Sequence, residues 1–449
     1  MKRTIALLFC LLLVASTLAG CIIDDDKNSD KGEEILVESG GEFNVSVPSS
    51  VGNIIVKVQL PNTPRYESGA PIILEVGTFF TSNVPFYSTV SDILDEGFVY
   101  VTYIWPGTEE RDSGMVSEGE YDHGGVQCLS GLAGAIRYAT GQTTDSDGYS
   151  LADRSMISVN QTNVGLYAFS HPGIAMTNVL AKHGDTLGNL GWIVGRENPT
   201  VDTVSSMEIG YWNGKNEATH NPLYSYPESY SSTELSLNYS LVKWNATWNE
   251  DGGDPGRPYW DLNENGILDN SDHVLSYQIP TFYGKRTYSM AMTQALLDSG
   301  TADPWPHDVN TVETVNKIWP ERMTVNNYPE IKSNLPDLKV MLLFSDSDHV
   351  QVANDRPHIH QAWDGFHNGA SLWVRLNPDA EYSSHFGVVE VTEHDANTSP
   401  SDWSNAYQWG HSSNYTIRTF PIIAISEMAD RQHFDNWNND LETYLLDGI

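Results

Sequence analysis

The stretch that decides the fold of this chain is Asn163–Met176, which reads NVGLYAFSHPGIAM. Its first half is a short apolar run with the character of a β-strand, and its second half continues as an amphipathic helix. Between the two halves lies Ser170, with Ala168 two residues before it and Gly173 three residues after it. Such small neighbours permit a sharp turn, and Pro172 fits the first helical turn because its missing N–H has no helical partner there. The stretch therefore predicts a strand, a tight turn that presents a serine hydroxyl, and a helix.

Apolar segments on both sides of this stretch predict a layered α/β fold. Two segments with period-two alternation, Glu42–Val47 and Asn53–Leu60, predict antiparallel strands near the start. Further predicted strands are Pro71–Gly77, Phe98–Ile104, Leu190–Val194, Leu338–Phe344 and Ser371–Leu376, and predicted helices are Gly125–Tyr138 and Phe420–Trp437. Two antiparallel strands followed by alternating strands and helices indicate a mostly parallel sheet with helices on its faces.

The serine turn and this order of elements resemble the α/β-hydrolase superfamily, whose nucleophilic serine lies on such a turn. The resemblance implies a mostly parallel central sheet flanked by helices, with a cap inserted between its strands. We expect residues 41–199 and 336–449 to form the core, and residues 200–335, rich in Tyr, Trp, Asn and Pro, to form the cap. The alternative is an ordinary strand–helix turn in which Ser170 only caps the helix.

The same resemblance implies an acyl-enzyme mechanism with a Ser-His-Asp triad in the chain order Ser, Asp, His. Ser170 is then the nucleophile. Asp348, in the turn after a late strand, is the expected acid that orients the base. His385 is the expected base because it lies nearest to the end of the last strand. The alternatives are Asp346 for the acid and His394 and His411 for the base.

The oxyanion hole implied by the resemblance pairs the backbone N–H of His171 with that of Thr78, in the turn after Val76. The chain has Val76-Gly77 where the family often has His-Gly, and Pro172 where the motif usually has glycine. These departures leave a second interpretation open, in which the chain keeps the fold without catalysis and acts as a surface binding protein.

A second motif lies inside the predicted cap, at residues 261–272, and reads DLNENGILDNSD. Oxygen-bearing side chains recur along it, and glycine at its sixth position permits the sharp turn of a calcium loop. The pattern resembles the EF-hand-like calcium loops of dockerins, with aspartate at the last position. The resemblance implies a structural calcium ion, no organic cofactor, and a helix that starts at Val274. The implied ligands are Asp261, Asn263, Asn265, Asp269, Asp272 and the backbone carbonyl of Ile267.

Residues 1–20 predict an export signal, because two basic residues precede the apolar run Ile5–Val14. The run leads into Leu-Ala-Gly-Cys, which looks like a lipobox that ends at Cys21. We therefore expect an exported lipoprotein whose lipidated Cys21 holds it to a membrane at the cell surface. Residues 21–40 are expected to form an acidic tether.

Charge and cysteine content restrict the partners of this chain. The sequence has 24 Lys and Arg against 59 Asp and Glu, a net charge of −35. Nucleic acid is excluded as a partner because phosphate binding needs a basic surface. Of three cysteines only Cys128 lies beyond the signal and the anchor, so the mature chain forms no intrachain disulfide. The expected substrate is an ester or a peptide.

Overall fold

The central feature of the structure, a computed structural model, is an eight-stranded sheet. Its strands are β1 (Glu42–Ser49), β2 (Gly52–Gln59), β3 (Ala70–Glu75), β4 (Val99–Tyr103), β5 (Val159–Phe169), β6 (Leu190–Arg196), β7 (Lys339–Phe344) and β8 (Ser371–Leu376). They lie side by side in the order β1-β2-β4-β3-β5-β6-β7-β8. Strand β2 runs antiparallel to both of its neighbours, and every other adjacent pair is parallel. The predicted α/β fold class with a mostly parallel central sheet is confirmed.

The structure describes the part of the chain that carries this sheet and most of the region between β6 and β7. The described residues are 36–78, 83–84, 86–200, 207–212, 218–225, 228–229, 235–249, 255–275, 279–344, 358, 361–362, 365–366, 371–376 and 419–437. The helices are α1 (Val126–Ala139), α2 (Gly173–His183), α3 (Met290–Ser299), α4 (Val312–Ile318), α5 (Tyr328–Asn334) and α6 (Thr419–Phe434).

Both faces of the sheet are covered, and side chains of the central strands alternate between the two faces. Ile72 and Leu74 of β3 belong to a hydrophobic cluster that includes α1 and α2, whereas Ile73 belongs to a second cluster that includes α6. The alternation follows from the period of two in a strand. Because neither face of the central strands meets solvent, these strands read in the sequence as continuous apolar runs.

The region between β6 and β7 has a hydrophobic cluster of its own. Trp260, Tyr288 and Met292 are buried in it. Short antiparallel pairings frame this cluster: Gly210–Trp212 with Ala218–His220, Val242–Asn245 with Arg257–Trp260 and then His273–Val274, and Thr281–Phe282 with Lys285–Arg286. By contrast, Tyr328 and Ile331 of α5 pack in the cluster that contains α2. The predicted cap range therefore contains both a separate core and a helix that completes the core of the sheet.

Several predicted features lie outside the described residues. They are the signal at 1–20, Cys21, Asp346, Asp348, His385, His394 and His411. Within the described part of the chain, no helix is both long enough and apolar enough to cross a membrane.

Strand β5 approaches β6 so closely that it requires glycine at position 165. A Cβ atom added to Gly165 would lie 2.2 Å from the ring of Trp192, which is fully buried. The ring cannot move freely because its indole N–H donates to Asn163 Oδ1 at 2.9 Å, and Asn163 in turn donates to the Ala429 carbonyl of α6 at 2.7 Å. This chain of contacts fixes the strand that leads to Ser170 against both β6 and α6.

We expect Gly165→Ala to lower the free energy of unfolding by about 2 kcal/mol, because overpacking a filled core forces strained side chains. Urea unfolding measures the effect. In the double variant Gly165→Ala/Trp192→Phe the smaller ring makes room for the methyl group, so its loss should be smaller than the sum of the two single losses. Strictly additive losses would show that the two side chains do not meet.

Candidate active site

Ser170 lies at the turn between β5 and α2 with a backbone φ of +60°. A positive φ is unfavourable for a residue with a Cβ atom and persists only where the surrounding structure enforces it. Two hydrogen bonds enforce it here: the Ser170 N–H donates to the Arg196 carbonyl at 2.7 Å, and its own carbonyl accepts from the Gly173 N–H at 2.9 Å. The sharp turn predicted from the small neighbours is therefore present, at the carboxyl edge of the sheet.

The Ser170 side chain does not cap the helix that follows it. Pro172 occupies the N-cap position of α2 with φ −52°, and no side chain makes a capping hydrogen bond there. A serine that served as an ordinary cap would accept a bond from an amide of the first helical turn. Ser170 therefore lies at this turn without capping the N-terminus of α2.

Asn198, which the sequence did not single out, fastens the turn from behind. Its side-chain amide donates to the carbonyls of Ala168, Ser170 and Arg196 at 2.9–3.0 Å. A Cβ atom at Gly173 would lie 2.2 Å from Asn198 Cγ, so glycine is needed where the helix passes this side chain. Asn198 therefore ties together the end of β5, the end of β6 and the serine between them.

For the hydrolysis that the resemblance implies, we expect Asn198→Asp to lower turnover more than Asn198→Ala does. Aspartate has nearly the same shape, but its carboxylate has no donor and places a negative charge against three carbonyl oxygens. An effect of about 100-fold in kcat for Asn198→Asp and about 10-fold for Asn198→Ala is expected, corresponding to about 3 and 1.4 kcal/mol. Steady-state kinetics on a chromogenic ester give both values. Equal effects would mean that the amide donors do not position the turn.

Thr78, the second expected oxyanion donor, follows β3, which is the direct neighbour of β5. The Val76 N–H donates to the Tyr167 carbonyl at 2.8 Å, three residues before Ser170. The Gly77 N–H donates to the Tyr103 hydroxyl at 3.3 Å, and the Thr78 carbonyl accepts from the Trp105 indole at 2.8 Å. These bonds fix the turn that carries Thr78 at the same edge of the sheet as Ser170.

Glu75, the last residue of β3, joins the two ends of the loop that carries Thr78. Its buried carboxyl group accepts hydrogen bonds from the backbone N–H of Thr89 at 2.9 Å, from the Thr89 hydroxyl and from the Tyr100 hydroxyl. Burial raises the pKa of Glu75, and these hydrogen bonds oppose the shift. The contacts close the loop between residues 75 and 89, which carries Thr78.

His171, whose N–H is the other expected donor, is fully buried and contacts Arg322 of the cap region. Arginine has no acceptor, so the His171 ring nitrogen that faces Arg322 is the acceptor of this contact. The same guanidinium donates to the His123 carbonyl at 2.5 Å and lies 4.4 Å from the centroid of the Phe282 ring. The side chain of His171 therefore joins the serine turn to the cap region.

A carboxylate that the sequence did not single out lies at the same edge of the sheet. Glu197 directly follows β6, is 8% exposed and has a backbone φ of +50°. Its N–H donates to the Leu343 carbonyl of β7 at 2.9 Å. Ser170 and Glu197 thus occupy strained positions at the ends of adjacent strands. The signal in the sequence is a glutamate at the end of an apolar run, which many surface turns share.

The loop 261–272 has a compact conformation set by its own side chains. The carboxylate of Asp261, 2% exposed, accepts from the N–H groups of Asn265 and Gly266 at 3.1 and 2.8 Å. Asp272 accepts from those of Leu262 and Asp269 at 3.0 and 2.9 Å. Each carboxylate has about four lone-pair sites, so each retains capacity for a cation.

The remaining loop side chains also present oxygen atoms. The amides of Asn263 and Asn265 donate to Asp269 Oδ2 at 3.1 and 2.9 Å. Hydrogen bonds, chiefly from Ser271, lower the pKa of Asp269, so this carboxylate stays ionised. These oxygen donors suit a hard cation. Among the described residues, no group of three or more His, Cys, Asp or Glu side chains forms a metal-binding cluster. The expected calcium ligands also include two Asn amides and the Ile267 carbonyl, besides the aspartates.

The helix expected after this loop is wrong. Val274 lies in the short strand His273–Val274, which pairs antiparallel with Tyr259 and Trp260. The loop is therefore the connection of a hairpin. The physical reason is that a β-branched residue next to an aromatic strand packs well across a pair of strands, whereas an EF-hand helix needs a longer amphipathic run.

Comparison with known proteins gives remote likenesses of structure. No family description and no curated protein matches the sequence. Prolyl oligopeptidase B from Galerina marginata is similar with a TM-score of 0.41 and 11% identity, over 88% of this chain and 37% of that chain. The acylaminoacyl peptidase of Pyrococcus horikoshii gives 0.35 and 10%, over 77% and 38%. An esterase of Pyrococcus furiosus gives 0.34 and 10%, over 75% and 81%.

This chain spans less than two fifths of the length of the two peptidases that it resembles. Similarity at this level assigns no role to any residue. The site is therefore defined by the geometry of the turn and by its contacts with the cap.

Proposed function

We propose that this protein is a serine hydrolase that cleaves an ester or a peptide bond through an acyl-enzyme. The observation that supports the proposal most is the strained serine at the carboxyl edge of the sheet, φ +60° at Ser170. Ligands of open α/β sheets bind at that edge, and strained residues cluster at functional sites. His385 is proposed as the general base and Asp348 as the acid that orients it. Glu197 is an alternative acid, since its strand adjoins that of Ser170.

In this mechanism the Ser170 hydroxyl attacks the substrate carbonyl while the proposed base takes its proton. The backbone N–H groups of His171 and Thr78 donate to the oxyanion of the tetrahedral intermediate. The leaving group departs with the proton from the base, and water then attacks the acyl-enzyme by the same route. The Arg322 contact supports the first donor by holding the ring of His171.

The remaining parts of the proposal concern location and stability. The protein is proposed to be exported and held to a membrane at the cell surface by a lipid on Cys21. A calcium ion bound by loop 261–272 is proposed to stabilise the cap, because the loop joins two strands of a sheet in the cap cluster. Each of these parts stands apart from the catalytic proposal.

The test of hydrolysis compares an aryl ester with a peptidyl anilide, both chromogenic. We expect turnover of at least one of them. When the enzyme concentration is comparable to the substrate concentration, we also expect an initial burst of product, because an acyl-enzyme releases the first product before it is hydrolysed. If folded, calcium-loaded protein turns over neither substrate and gives no burst, the proposal is contradicted. That result would support the alternative of an inactive hydrolase fold that acts as a surface binding protein.

Removal of calcium is expected to destabilise the protein without directly affecting Ser170. With calcium at about 100 times its Kd, binding stabilises the folded state by about 3 kcal/mol, which a chelator removes. Thermal unfolding with and without chelator measures the loss. Asp261→Asn should remove most of this dependence, whereas Asp337→Asn, an exposed aspartate outside the loop, should leave it intact. An unfolding temperature that does not respond to calcium would contradict the metal assignment.

A further inference from the structure

A cavity of about 560 Å³ lies between the core and the cap. Its core wall is formed by the loop before α1, with His123, and by the first residue of α1, Val126. Its cap wall is formed by α4 and by the hairpin that contains Tyr283 and Lys285. A volume of this size accommodates a drug-sized ligand or part of a larger one.

The walls of the cavity are fixed by specific contacts. The Tyr283 N–H donates to His123 Nε2 at 3.1 Å, and the two rings meet edge to face with centroids 4.5 Å apart. Both residues have positive backbone φ values, +52° and +55°, which their surroundings must enforce. The neighbouring Phe282 ring lies against Arg322. The hairpin is thus locked onto the core loop, and the cavity is a built feature.

The charged groups around the cavity differ in whether they are already paired. Both oxygens of Asp122 accept from amides at the start of α1, at 2.7 and 3.0 Å. Glu321 is paired with Lys182, and Lys317 lies 3.2 Å from Glu313. Lys285 is half-buried and has no ion pair among the residues that the structure describes. Among the charged side chains that line the cavity, Lys285 is therefore a cation with which a ligand anion can pair, while Asp122 keeps its negative charge at the start of α1.

The cavity also has apolar wall residues, next to the polar Asn310 and Thr314. Tyr283 is 52% exposed and Val126 is 59% exposed, and Ile318 also lines the space. A pocket with apolar walls and several polar groups suits a small organic ligand, in which the polar groups set the orientation.

We propose that this cavity binds a carboxylate-bearing molecule with an apolar or aromatic body, and that Lys285 pairs with the carboxylate. This inference rests on the proposed function in one respect: the molecule is the part of the substrate that extends away from the scissile bond. Arg322 adjoins the wall residue Glu321 in the chain and contacts His171 next to the serine. The proposed substrates are accordingly anionic esters or amides.

The kinetic test compares mono-4-nitrophenyl glutarate with 4-nitrophenyl butyrate, which differ in the terminal carboxylate. We expect Lys285→Met to lower kcat/KM for the glutarate about tenfold or more and to change that for the butyrate less than twofold. Lys332→Met, an exposed lysine on α5, removes the same charge from an already acidic protein and should leave the ratio unchanged. Ionic strength is kept constant because screening affects any long-range attraction. A parallel change for both esters, or none for either, would overturn the proposal.

Direct binding separates this inference from the proposed catalysis. Titration calorimetry with 4-phenylbutyrate on Ser170→Ala protein requires no turnover. We expect saturable binding that Lys285→Met weakens about tenfold and Lys332→Met leaves unchanged. If the Ser170→Ala protein binds in this way and the unsubstituted protein hydrolyses neither ester, the result would support the cavity proposal and contradict the hydrolase proposal. Turnover of the butyrate without binding of 4-phenylbutyrate would support the hydrolase and overturn the cavity.

Discussion

Replacing Ser170 with alanine is expected to lower kcat by at least about 10⁴-fold while the protein stays folded. The size follows from the way a nucleophile and its base act as one unit, so that loss of the hydroxyl removes the covalent route entirely. The side chain is partly exposed at the turn, and Ser170 takes part in the bonds that hold the turn through its backbone atoms. Activity and stability should therefore separate cleanly in this variant. Ester hydrolysis and urea unfolding measure the two effects.

A second substitution at this position makes the separation sharper. Glycine adopts φ +60° without strain, so Ser170→Gly should be as inactive as Ser170→Ala and more stable than it, by about 1 kcal/mol. Ser333→Ala, at an exposed serine of α5, is the matched control and should change neither property. Substantial residual activity in both Ser170 variants, measured on protein free of contaminating esterase, would remove Ser170 from the mechanism.

Replacing Arg322 with methionine is expected to have the next largest effect, because Arg322 joins the cap to the core. Methionine retains the apolar length of the side chain and loses the donors to His171 and to the His123 carbonyl, as well as the cation that faces the Phe282 ring. We expect the free energy of unfolding to fall by about 3 kcal/mol, since hydrogen bonds to charged groups contribute about 1.5–3 kcal/mol each. We also expect kcat/KM to fall about 100-fold as His171 loses its support.

Two further variants decide how Arg322 acts. Arg322→Lys keeps the charge without the planar fork, so it should recover little of the lost activity. Arg137→Met, at a half-buried arginine of α1, should lower the free energy of unfolding and kcat/KM far less. Chemical unfolding and ester kinetics at a temperature where all variants are folded give the comparison. Wild-type activity in Arg322→Met would show that the cap contact does not position the serine turn.

The fold could be predicted from the sequence because its evidence is local. The strand that ends at Phe169, the small residues around Ser170 and the helix after it are neighbours in the chain, and their order fixes a strand–turn–helix unit. Apolar runs such as that around Ile73 also predict strands that are buried on both faces of the sheet. Here local propensity and tertiary environment agree, so a pattern of a few residues was sufficient.

The contacts around the serine could not be predicted because they join residues far apart in the chain. Arg322 is 151 residues from His171, and its contacts with the His123 carbonyl and the Phe282 ring also join distant parts of the chain. Asn198 lies 28 residues after Ser170, and a lone asparagine after a strand is a common turn residue. The strand after the calcium-type loop was missed for a related reason: the pairing of Val274 with Tyr259 is a tertiary contact that a loop motif does not contain.

The most direct test of this account is the position of the adduct formed with a fluorophosphonate, which reacts with activated serines. Intact mass followed by peptide mapping of the labelled, folded protein locates the modified residue. The account predicts one adduct per chain, on the peptide that contains Ser170, and none in Ser170→Ala. An adduct on another serine, or none on folded protein, would contradict the claim that the turn after β5 presents a catalytic nucleophile.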